Sequence, residues 1–223
     1  IPVVAEGDEA AASQPALLVR ARGHHLGEVL SQDHVVFDQN EVAEYFPLDT
    51  VIDGMFEITG EVFGLEYREV ATPRAWHGDV KLYEIHNRGE DRPIAYFYAD
   101  LFPREGKYNH FAQFGMISSR TGDDGRSIRP VVGLICNFPP PTADKPSLLS
   151  HDQVETLFHE FGHALHFLSS NVDYPTLNGG VRDYTEFQSQ LLERWLLTDE
   201  VIETYLVHHE TGKPMPAALV EKI

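Results

Sequence analysis

Apolar positions first fall into a helical register at Val42. Val42, Tyr45 and Phe46, then Val51, Ile52, Met55, Phe56, Ile58, Val62 and Phe63 recur at that spacing. Asp38, Gln39 and Asn40 offer a cap ahead of them, Pro47 suits a first turn, and Gly64 is a natural stop, which predicts a main helix over about 48–63. The pattern then shortens. Segments 65–70, 80–86, 94–101, 111–116 and 131–138 have strand character, separated by turn residues such as Asn87, Arg88 and Gly89 or the run 121–125. Pro139, Pro140 and Pro141 force an extended connection, after which helical spacing returns. Upstream of all this, residues 1–16 show no clear period, and 15–30 suits a short strand or a helix. No stretch of the chain repeats another.

The most regular pattern begins at Leu149. Ser150 and Gln153 form a capping box, with Leu149 and Val154 placed as a hydrophobic staple, so a helix should start at about His151. Val154, Leu157, Phe158, Phe161, Leu165 and Leu168 make one apolar stripe, the face expected to be buried. His159 and His163 lie opposite it, four residues apart, where two imidazoles project from successive turns and can meet one Zn²⁺. Glu160, rotated by one residue, is placed to hold a water as general base. Gly162 lowers helix propensity by about 1 kcal/mol relative to Ala, so something should pack closely there.

A catalytic zinc needs a third protein ligand. His166 lies a further turn along the helix, too far from an ion gripped by the first two histidines, and reads as a residue of the surrounding wall. Downstream, Asp183 to Leu197 resumes helical spacing through Tyr184, Phe187, Leu191 and Trp195, with Glu186, Gln190 and Glu193 on the opposite face. Asp183 and Glu186 also have the spacing of a capping box. The residues alone leave Glu186 and Glu193 as alternatives. Another helix is expected over 200–208, ending at Thr211 and Gly212, with a last short one after Pro214 and Pro216.

Charge narrows the partners. Lys plus Arg number 17 against 35 Asp plus Glu, a formal charge of -18, which argues against nucleic acid and anionic membrane. No apolar run is long enough to span a bilayer. Cys136 is the sole cysteine, set in an apolar run. It is expected to be a buried thiol in a reducing compartment, hence a cytoplasmic location.

The run 156–166, Thr-Leu-Phe-His-Glu-Phe-Gly-His-Ala-Leu-His, resembles the thimet oligopeptidase and oligopeptidase A family of zinc metallopeptidases, which includes bacterial dipeptidyl carboxypeptidases. So do 98–107, Asn137 and Phe138 with Leu148 and Leu149, and 182–195, the similarity covering roughly 38–223. The resemblance implies that Glu186 matches the family's third zinc ligand. It also implies short peptides as substrates. Gln188 stands where the family usually has proline, and the loop before Asp183 is slightly short. Family members are several times longer, with a large helical N-terminal part and a C-terminal part whose histidine and tyrosines steady the reacting carbonyl; Tyr205, His208 and His209 do not match those.

Together these observations predict an α+β, mainly helical fold, with a zincin-like helix behind a small β-sheet, in a single catalytic-region fragment over 1–223. Its expected parts are a poorly defined start at 1–37, a helix and sheet over 38–138, and zinc-site helices over 148–223. One zinc per chain, held by His159, His163 and Glu186 with Glu160 as base, would hydrolyse short oligopeptides. The strand over 131–138 would hold the peptide along a sheet edge, by analogy with related zinc peptidases. Apolar faces left uncovered would favour self-association. The alternative is a metal- or peptide-binding module without turnover of its own.

Overall fold

A computed structural model describes residues 39–223 apart from Pro73 and Leu197. The expectations for 1–38 lie outside the described residues. A short helix, α1 (Gln39–Ala43), leads into the main helix α2 (Leu48–Phe63). Pro47 precedes its first turn, and Gly64 ends it at φ 68°, with its N–H on the Gly60 carbonyl. Leu48, Ile52 and Met55 form its buried side.

The predicted strand segments form one sheet of β1 (Leu65–Val70), β2 (Lys81–Asn87), β3 (Pro93–Asp100), β4 (Ala112–Ile117) and β7 (Val131–Ile135); a two-residue hairpin, β5 (Arg120–Thr121) and β6 (Ser127–Ile128), stands apart. The sheet order is β1-β2-β3-β7-β4. Only the β3–β7 pair is parallel. The expectation that the strand at 131–138 is a sheet edge is therefore corrected. β7 has β3 on one side and β4 on the other, so its backbone groups are spent within the sheet, and the edge beside the later helices is β4. Alternation puts Ala95, Phe97, Ala99, Val132 and Leu134 on one buried face. Helix α3 (His151–Leu168) lies across that face, and Phe97 meets Phe161 edge-on with ring centroids 5.4 Å apart.

An ionic latch joins the ends of β3 and β7. Lys107 Nζ donates to the carbonyls of Asp100, Phe102 and Cys136, and the Asp100 carboxylate accepts from Arg104 and from Trp76 Nε1. The latch fixes the loop that leads into β4. Cys136 is buried beside it, and burial pushes its thiol pKa up, as expected of a core cysteine.

Beyond α3 the chain departs from the predicted pattern. Arg182–Tyr184 is a 3₁₀ turn, and helix α4 runs only from Phe187 to Trp195, so Asp183 does not cap it. Tyr184, Phe187 and Leu191 are exposed, whereas Ser189, Leu192 and Leu196 are buried. Close backbone approach to α3 turned this helix, and the apolar stripe was outvoted. Helix α5 (Asp199–Tyr205) stops short of the predicted His208 because Leu206 leaves helical geometry, and Val207 then bridges to Pro214. A last turn, α6 (Ala217–Val220), follows Pro216 as expected. Among the described residues no helix is long and apolar enough to cross a membrane.

Candidate metal centre

Helix α3 starts where its capping signal puts it. Gln153 N–H donates to Ser150 Oγ, and Ser150 N–H donates to Gln153 Oε1. This cap sets the rotation of the helix. The whole predicted stripe, Val154 to Leu168, is buried, which leaves His159 and His163 half-buried on the other side with their Nε2 atoms 3.2 Å apart.

The third group comes from the turn before α4. Glu186 Oε2 lies 3.3 Å from His159 Nε2 and 3.1 Å from His163 Nε2. One ligand atom from each of the three residues falls within 4.8 Å of the others. Glu186 stands at the N-cap position of α4 but makes no capping bond, so its carboxylate faces the imidazoles instead of the helix end. Ser189 Oγ donates to both Glu186 O and Glu186 Oε2, at 3.0 and 3.1 Å, which orients the carboxylate. Gly162 makes this approach feasible: Ser189 packs where a side chain at 162 would stand.

Glu160 points elsewhere, toward the sheet. Its Oε2 accepts the N–H of Gln113 at 2.9 Å. Gln113 lies on β4, so the carboxylate sits against the open edge of the sheet, beside the histidines but out of their cluster. His166 does not join the cluster either; its Nδ1 is 2.9 Å from Gln188 Nε2, which also donates to Thr185 O. The His166 side chain is exposed, with Gln188 as its hydrogen-bond partner.

Two partners were not legible in advance. Glu193 Oε1 lies 2.5 Å from His159 Nδ1, on the far side of the ring from Glu186. The helical spacing that left Glu186 and Glu193 as alternatives was the available signal, and the structure brings both to one histidine from different sides. Gln113 gave no signal, because the contact is made by its backbone.

A model described as peptidase family M3 matches residues 25–223. The chain is 40% identical over 200 residues to a thimet-like oligopeptidase of Dictyostelium discoideum, covering 87% of this chain and 30% of that protein. It is 37% identical over 195 residues to saccharolysin of Saccharomyces cerevisiae, covering 83% of this chain and 27% of that one. Oligopeptidase A of Escherichia coli is 34% identical over 186 residues, 82% of this chain and 27% of its own. The chain thus spans less than a third of the length of these relatives.

Proposed function

Because the chain belongs to peptidase family M3, we propose that it carries the catalytic centre of a zinc-dependent, zincin-like peptidase that hydrolyses short oligopeptides. The observation that carries this reading is the convergence of His159 and His163 from α3 with Glu186 from the turn before α4, beside an open sheet edge. Two imidazoles and one carboxylate are a donor set that suits zinc, and these three residues would hold one ion per chain. When bound, zinc supplies Lewis acidity toward a carbonyl and lowers the pKa of water.

The remaining work falls to the chain itself. Glu160 would take a proton from the attacking water and hand it to the leaving amine, and the Gln113 N–H holds its carboxylate at the sheet edge where the peptide would arrive. Strand β4 would hold an extended peptide by main-chain pairing, the role that the sequence had suggested for its neighbour β7. The relatives' names as oligopeptidases and a dipeptidyl carboxypeptidase support peptides as the substrate class. The acidic composition and the buried single thiol suit a cytoplasmic protein.

The test uses the 223-residue protein, stripped with a chelator and reconstituted. Elemental analysis should give one zinc per chain, lost on His163→Ala, and a quenched fluorescent peptide should report chelator-sensitive hydrolysis. Stoichiometric zinc without turnover would support the binding-module alternative. A His163→Ala protein that keeps its zinc would sink the assignment of the site.

A further inference from the structure

We propose that Glu193 is a positioning residue of the metal centre: its carboxylate takes the hydrogen bond from His159 Nδ1 and thereby commits Nε2 to the metal. This rests on the reading of His159, His163 and Glu186 as the ligands. A neutral imidazole carries its proton on either nitrogen, and only the Nδ1-protonated form offers an Nε2 lone pair. An ionised carboxylate can only accept. With Glu193 Oε1 2.5 Å from Nδ1, the proton belongs on that nitrogen, and Nε2 is left facing His163 Nε2 at 3.2 Å and Glu186 Oε2 at 3.3 Å.

The same geometry rules Glu193 out as a ligand to that ion. The imidazole ring stands between its carboxylate and the converging atoms. The placement is also rigid, because Glu193 lies in α4 one turn beyond Ser189, where α4 presses on α3 at Gly162. Its side chain and that of His159 are both about three-quarters buried, at 23% and 27% exposure, so water competes poorly for the bond. Partners of this kind hold a histidine's tautomer and ring orientation and raise its basicity, and their loss typically lowers metal affinity by about 10–100-fold.

Competition against a chromophoric chelator gives the zinc Kd of the 223-residue protein and of Glu193→Gln and Glu193→Ala, and the visible bands of bound Co²⁺ report ligand geometry. Affinity should fall in the order wild type, Gln, Ala, by about 10–100-fold for Ala, with one zinc still bound at saturation. The Co²⁺ bands should shift in step. Gln keeps the shape and an acceptor oxygen, so it decides the matter if Ala perturbs folding. A wild-type Kd and unshifted bands in the variants would overturn the proposal, even if the metal-free protein melted lower, since that pattern belongs to a packing role. Complete loss of zinc in Glu193→Ala at saturating metal would overturn it too, by making Glu193 a ligand. Failure of the underlying reading shows separately: wild type and His163→Ala would then hold zinc equally, and the inference falls with it.

Discussion

A Cβ placed on Gly162 would stand 2.6 Å from the Cα of Ser189. Helices α3 and α4 therefore meet backbone to backbone, and the contact lies one turn from Glu186 on one side and from Glu193 on the other. Gly162→Ala should weaken both folding and metal binding. Alanine gains about 1 kcal/mol of helix propensity, but the clash is with main chain, which cannot swing aside, and overpacking typically costs about 1–3 kcal/mol. A lower urea midpoint together with weaker zinc binding is the expected result. An unchanged midpoint would mean that α4 can slide away freely.

Glu160→Gln should keep stoichiometric zinc and lose about 10²–10⁴-fold in turnover, the usual contribution of a general base. The amide oxygen can still accept the Gln113 N–H, so the side chain's position should survive. Elemental analysis beside peptide hydrolysis separates the roles. Loss of the metal in this variant would make Glu160 a ligand.

Asp100 gives the fold a pH dependence. Burial raises its pKa, but hydrogen bonds from Arg104, Lys107 and Trp76 outweigh it, and the carboxyl is held at about 2 against an ordinary 3.8. A depressed folded-state pKa contributes stability that is full above about pH 4 and is lost as pH falls toward about 2. The size is about 2 kcal/mol. Thermal melts should show this acid limb in the wild type and a flatter one in Asp100→Asn. That variant should also be less stable near neutrality by about 3–5 kcal/mol, because Lys107, only 3% exposed, loses its counter-charge.

Gln188→Pro should be close to neutral. Position 188 lies in the first turn of α4, where a backbone N–H has no intrahelical partner to lose and proline's fixed φ suits the helix. The bonds to His166 and Thr185 disappear, yet both are exposed. Stability within about 0.5 kcal/mol and an unaltered zinc Kd are expected. A large drop in either would show that the Gln188 side chain holds the Glu186 turn in place.

How far the sequence could be read depended on whether an element's signal was local. The Ser150–Gln153 box and the stripe from Val154 to Leu168 fixed the start and rotation of α3, and with them the pairing of His159 and His163. Pro47 and Gly64 bounded α2 in the same way. The sheet edge was misread because strand order is a long-range property: nothing near Val131 records that β4, earlier in the chain, pairs outside it. Helix α4 failed for a related reason. Tyr184, Phe187 and Leu191 look like a buried stripe, but the side that packs was decided by Gly162 on another helix. The Glu193 contact with His159 depended on that same packing.

Cys136 has a practical consequence. The chain's one sulfhydryl is fully enclosed between the latch and the core, with its thiol pKa pushed up by that burial. A disulfide reagent such as Ellman's is attacked only by a solvent-reached thiolate, so modification must wait for the end of the sheet at the latch to breathe open. The protein thus carries its own single-point clock for core opening, readable at one wavelength, without any introduced label.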